Sequence, residues 1–167
     1  TYGAQVVREM NRMGMMVDVS HITDEAFYDV MEITDAPVIA SHSSARAFTP
    51  GWERNMSDEM IERLATNGGV IMISFGSMFL TEEYRRRDQA AEEHIEQYLE
   101  EKDLSRSDPE AQEYIEEYWD NHVGYADITD VVDHIDHVVE LVGVEHVGLG
   151  SDFDGVGDAL PYGLKDV

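Results

Sequence analysis

Two stretches decide the fold: GMMVDVSH at 14–21 and APVIASHSSAR at 36–46. Each is an apolar run of β type that stops at a histidine, His21 in the first and His42 in the second. The segment between them has the length and patterning of one short helix. PGWERN follows at 50–55 and carries Arg54, and a later run, HVGLGSDFDG at 146–155, closes its apolar part at Asp152. Strand after strand thus ends in a polar, metal-competent residue, the layout of an enzyme site built on a parallel sheet.

Working outward, residues 2–13 read as a helix with Val6, Val7, Met10 and Met13 on one face and Gly14 as its left-handed terminator. MMVDVS at 15–20 reads as the first strand. Thr23 caps a helix of about ten residues, with Asp24 and Glu25 in the first turn, where the helix dipole favours anions. Ala36-Pro37 ends it, and VIAS at 38–41 forms the second strand. Residues 41–55 are a polar loop broken by Pro50-Gly51. Ser57 caps the next helix, with Met60, Ile61, Leu64 and Ala65 as its buried stripe, and VIMISF at 70–75 is a strand apolar enough to be covered on both faces. Thr129 is expected to cap a last helix over 130–142, before a fourth strand at 146–151.

Residues 81–120 differ in character. They hold fifteen acidic and five basic residues and read as two helices, the second started by Asp108-Pro109 and striped by Ala111, Tyr114, Ile115, Tyr118 and Trp119. That pattern describes an acidic insertion at about 81–125, packed by one aromatic face and solvated elsewhere.

Alternating strands and helices imply a parallel α/β sheet. No G-x-G-x-x-G follows a strand, which argues against a dinucleotide-binding sheet. Polar residues at several strand ends favour a (β/α)8 barrel. A barrel takes about 250 residues, however, and half a barrel leaves apolar strand edges unpaired. The chain has 167 residues, four strand candidates and Thr1 rather than Met at its start. The expectation is therefore a partial barrel, strands 5–8 with their helices, forming one incomplete domain over 1–167.

Composition narrows the function. There is no cysteine, so any metal must be held by His, Asp or Glu. Thirty-six acidic residues face eleven basic ones, a formal net charge of −25; such a surface repels nucleic acid and anionic membranes. It also suits a high-salt cytoplasm, where screening makes dense carboxylates tolerable, although an acidic protein of ordinary salt has the same signature. No run approaches the roughly 20 apolar residues of a membrane helix, and a cytoplasmic location is the default expectation.

The candidate site residues each have a bland alternative. His21 and His42 sit one strand-helix unit apart and would face one cavity as zinc ligands; otherwise they are capping or core histidines. Asp152 is placed to take a proton from an activated water, or is a turn aspartate bonding its own loop. Asp154 and Asp158 fit the turn role better. The D-x-D-G-x-G-D spacing at 152–158 also resembles a calcium loop, but no helix precedes it and its twelfth position is Gly163. Arg54 can grip a substrate carboxylate in bidentate fashion, or is an ordinary surface arginine. His134 and His137 share a helix face, are expected on the outer helix layer, and are given no ligand role. His94, His122 and His146 show no partner pattern.

Taken together, GMMVDVSH, APVIASHSSAR, the ERN triplet and VGLGSDFDG resemble the membrane (renal) dipeptidases of the amidohydrolase superfamily, over nearly the whole chain apart from the acidic insertion. The resemblance implies a metallo-dependent hydrolase barrel with two zinc ions bridged by a carboxylate and a hydroxide, the hydroxide attacking the scissile bond of a dipeptide. By position it implies that His21 and His42 bind the second zinc. It also implies that Arg54 holds the substrate's terminal carboxylate and that Asp152 handles the proton at the attacking water. The family's His-x-Asp pair, its bridging glutamate and a substrate-contacting histidine would all lie upstream of residue 1, so the fragment alone is expected to be inactive. The expected partners are a dipeptide and, for the assembly, a second copy in a homodimer. Two other readings stay open: another hydrolase of the same superfamily, a lactonase or deaminase, and a non-enzymatic acidic calcium-binding module.

Overall fold

A computed structural model describes residues 1–157 and 159–164. Its elements follow in chain order: α1 (Tyr2–Met13), α2 (Asp24–Ile33), β1 (Ile39–Ser43), α3 (Asp58–Thr66), β2 (Val70–Ile73), α4 (Ser77–Leu80), α5 (Glu82–Lys102), α6 (Pro109–His122), α7 (Ile128–Val142) and β3 (Val147–Leu149). Single 3-10 turns lie at Arg46–Phe48 and Val144–His146.

The helices begin where short polar side chains can satisfy free N–H groups. The hydroxyls of Thr1, Thr23, Ser57 and Thr81 each accept a backbone N–H in the first turn of α1, α2, α3 and α5. Gly14 ends α1 at φ 71°, a conformation glycine adopts without steric cost. The start of α7 differs from expectation. Asp127, not Thr129, is its N-cap, and Asp127 and Asp130 form a reciprocal capping box. A carboxylate accepts the N–H groups of both Thr129 and Asp130, which the single hydroxyl of Thr129 at its own position cannot do.

β1, β2 and β3 make a parallel sheet in that order. Ile39 lies opposite Val70 and Ala40 opposite Ile71, and β2 pairs with β3 from Ile71–Val147 to Ile73–Leu149. The expected strand at 15–20 is reduced to one parallel bridge, Asp18 with Ile39. Val19 N–H donates to Ile39 O at 2.8 Å and Ile39 N–H to Val17 O at 3.0 Å. The ladder stops there because the Asp18 carboxylate takes the next donor of β1, Ser41 N–H, at 3.2 Å, and holds its own Ser20 N–H at 2.9 Å. The register of β1 slips between Ala40 and Ser43, a bulge that re-aims the residues beside His42.

Helices α2, α3 and α7 cover one face of this sheet, burying Phe27, Ile61, Leu64, Ile71, Ile73 and Val138 in one core. The strands are not covered equally on both sides, contrary to the reading of 70–75: Ile71 and Ile73 are buried, whereas Val70 and Met72 are half-buried. Helices α5 and α6 pack on each other through Ile95, Leu99 and Ala111, with Ile115, Tyr118 and Trp119 at the margin, as the aromatic stripe required. Among the described residues no helix is long and apolar enough to cross a membrane.

Candidate metal and carboxylate site

His21 stands two residues past the bridged 17–19 segment, and His42 lies within the bulged end of β1. Their Nε2 atoms meet at 2.8 Å, with ring centroids 4.8 Å apart. On tetrahedral zinc, with Zn–N of 2.0–2.1 Å, two such nitrogens stand about 3.3 Å apart, so a small outward movement opens the pair to one ion. Two imidazole nitrogens converging on one point are a donor set that suits zinc. Among the described residues no group of three or more His, Cys, Asp or Glu side chains is arranged to hold a metal. The pair alone does not make up a coordination shell, and among the described residues the 152–157 loop, Asp154 included, forms no calcium cage; Asp158 lies outside the described residues.

Both edges of the site carry backbone in the left-handed region. His21 has φ 65° and Asp152 φ 60°, conformations that side chains other than glycine rarely adopt and that concentrate at functional sites. Burial, and then the charges of Arg54 and His42, hold His21 below the ordinary imidazole pKa, while Asp152 and Asp18 oppose the shift. The neutral ring needed for ligation is therefore favoured. Asp152 also supports the charge of Arg54, whose pKa burial pushes down. The three groups singled out at separate strand ends accordingly share one rim of the sheet.

Arg54 reaches this rim because its loop is closed at the base. Arg46 N–H donates to Met56 O at 2.8 Å and Met56 N–H to Ser44 O at 2.9 Å. The Arg46 guanidinium grips both oxygens of Asp24 at 2.7 and 2.6 Å and its Nε donates to Asn55 O at 2.7 Å. Asn55, fully buried, donates to Thr49 Oγ1 and to Phe79 O, each at 2.8 Å. Arg54 then donates to His42 O at 2.7 Å and Ser43 Oγ at 3.1 Å, and its Nη2 lies 3.3 Å from His21 Nε2. Its guanidinium carbon stands 5.0 Å over the ring of Phe79, which stacks on Trp52 at 5.3 Å. It is absent from the ion pairs of the described residues, and its buried Nε has no hydrogen-bond partner. A half-buried cation with no ion-pair partner among the described residues can accept a carboxylate.

A model of the membrane dipeptidases, peptidase family M19, matches residues 1–167. The chain belongs to this family. It is 39% identical over 166 residues to an uncharacterised dipeptidase of Schizosaccharomyces pombe, covering 99% of this chain and 30% of that protein. It is 38% identical over 165 residues to dipeptidase tcpJ of Claviceps purpurea, covering 99% of this chain and 29% of that protein. The chain thus spans less than a third of the length of these curated relatives. Among solved structures, it resembles a metallopeptidase from Rhodobacter sphaeroides bound to a phosphinate mimic of the dipeptide L-Ala-D-Ala, with a TM-score of 0.69 and 29% identity over 98% of this chain and 36% of that one. A probable dipeptidase, PvdM, from Pseudomonas aeruginosa matches with a TM-score of 0.71 and 27% identity over 93% of this chain and 42% of that one. The chain thus has the α/β fold with a small parallel sheet seen in M19 dipeptidases.

Two residues escaped the sequence reading, and a third was read without its role. Asp18 and Ser41 bond to each other and Ser41 to the His42 ring; a polar Asp18 inside an otherwise apolar strand run was the available signal. His134 was expected on the outer layer but is fully buried. Its Nδ1 accepts Ala45 N–H and its Nε2 donates to Leu80 O, each at 2.9 Å, because the face of α7 that carries it packs against the loop after β1. His137, one turn on, bonds Asp58 at the start of α3 at 2.8 Å.

Proposed function

We propose that the protein containing this chain is a zinc-dependent dipeptidase, and that the chain is the part of its barrel, strands 5–8, that holds one end of the active site. The observation that carries the reading is the convergence of the His21 and His42 Nε2 atoms beside an arginine that makes no ion pair among the described residues. Family membership and the dipeptide mimic bound by the Rhodobacter sphaeroides relative support it. Single-domain organisation over 1–167 with an insertion at about 81–125 belongs to the same proposal. So does the barrel, which accounts for the exposed Met15, Met16 and Leu149 at the two sides of the sheet.

His21 and His42 would hold zinc through Nε2. When bound, zinc supplies Lewis acidity and makes water a nucleophile near neutral pH. Arg54 binds the substrate's terminal carboxylate and so sets the scissile bond against the histidine pair. Asp152, across the rim, accepts the proton released as water attacks. The free carboxylate that Arg54 demands favours a dipeptide over a lactone or a nucleobase. His42→Ala in the complete protein is expected to abolish turnover and reduce bound zinc, measured by elemental analysis. Unchanged zinc content would refute the ligand assignment.

A further inference from the structure

The hydrogen bonds behind His42 determine which of its nitrogens carries the proton. The Asp18 carboxylate accepts Ser20 N–H at 2.9 Å and Ser41 N–H at 3.2 Å on Oδ1, and the Ser41 hydroxyl on Oδ2. Burial pushes this carboxyl up, but the hydrogen bonds from Ser41 and Ser20 outweigh it and hold it below the usual range. An ionised carboxylate can only accept, so the one proton of the Ser41 hydroxyl is committed to Asp18. Ser41 Oγ also lies 2.7 Å from His42 Nδ1. With its proton already given away, Oγ can only accept there. Nδ1 of His42 is therefore the protonated nitrogen, and Nε2 presents its lone pair to the point it shares with His21.

We propose that Asp18 and Ser41 are positioning residues that lock His42 in the Nδ1–H tautomer and thereby make its Nε2 a metal ligand. The relay is rigid at both ends. Asp18 is bridged to Ile39 of β1, and the Ser20 hydroxyl accepts His42 N–H at 3.1 Å. A partner that orients a ligating histidine raises its basicity and fixes its ring, and loss of such a partner typically costs 10–100-fold in metal affinity. The proposal rests on the reading of His42 as a ligand.

Replacing Asp18 by Asn reverses the direction of donation. The new amide donates to Ser41 Oγ, the hydroxyl turns its proton toward His42 Nδ1, and the ring proton moves to Nε2, where it blocks ligation. Two measurements on the complete, metal-stripped protein test this: nitrogen NMR of labelled histidine, which reports the His42 tautomer without metal, and zinc titration against a chromophoric chelator. Asp18→Asn is expected to shift His42 to the Nε2–H form and to weaken zinc binding 10–100-fold. Ser41→Ala, which removes one oxygen and keeps the test available if Asp18→Asn does not fold, is expected to mix the tautomers and weaken zinc about tenfold, and Ser41→Thr to restore both. A His42 that stays Nδ1–H in Asp18→Asn, or zinc affinity within twofold of wild type in both Asp18→Asn and Ser41→Ala, overturns the proposal. His42→Ala separates the two layers: lost zinc there with retained zinc in Asp18→Asn leaves the ligand reading standing and removes the relay, whereas retained zinc in His42→Ala removes both.

Discussion

Acidification should unlock the loop that carries Arg54, and His134 is the group through which it acts. The ring is fully buried, accepts Ala45 N–H at Nδ1, donates to Leu80 O from Nε2, and lies 4.4 Å from Phe48, centroid to centroid. Burial lowers its pKa from 6.5 to about 4, with the Leu80 carbonyl opposing and His137 adding a little. A proton on Nδ1 would face the Ala45 N–H donor against donor, which gives the shift a geometric cause. In the unfolded chain the ring titrates near 6.5. Between these two values the unfolded state binds the extra proton, so this contribution to stability is complete above about pH 6.5 and is lost as pH falls toward about 4. At about 1.36 kcal/mol per pH unit, the gap amounts to about 3 kcal/mol. Urea unfolding at a series of pH values from 7 to 4 measures it, with His134→Gln as the reference. The glutamine carbonyl can accept from Ala45 and its amide donate to Leu80, but it cannot titrate. The wild type is expected to lose about 3 kcal/mol more than the variant across that range. Parallel curves, within about 1 kcal/mol, would show that His134 is already protonated at neutral pH or is not buried when folded.

The other predictions concern the site and the surface. Arg54→Ala in the complete protein should raise KM for dipeptides by 10-fold or more, roughly the worth of a charge-assisted bidentate contact, and leave a carboxyl-amidated dipeptide nearly unaffected; equal losses on both substrates would remove the carboxylate-binding role. Gly150→Ala should destabilise the fold by about 1–3 kcal/mol, since a Cβ there would stand 2.0 Å from Ser41 O and 2.8 Å from Met72 Cβ. A thermal melt unchanged by that substitution would contradict the packing of the rim. With a formal net charge of −25, melting temperature should rise from low to molar potassium chloride as screening shortens from tens of ångströms to about 3 Å; a falling melting temperature would reject the high-salt reading.

Sequence alone sufficed wherever the deciding physics is local. Hydroxyl caps at Thr23 and Ser57, Gly14 after α1, Asp108-Pro109 before α6 and the apolar stripes of α3 and α6 all act within one or two turns, and each helix appears where its signals stand. The period of strands and helices also brought His21, His42, Arg54 and Asp152 to one rim, because parallel strands deliver their ends to the same side. Tertiary structure decided what depends on contacts between distant segments. The 15–20 run is apolar enough for a strand, yet the Asp18 side chain diverts Ser41 N–H of β1 and leaves one bridge. His134 is polar on a helix, yet it is buried because Ala45 and Leu80, 89 and 54 residues away in the chain, supply the two partners that make burial tolerable. The Asp18–Ser41–His42 chain is of the same kind: a hydrogen bond spanning 23 residues has no signature in spacing, and only the folded sheet brings its donors and acceptors within reach.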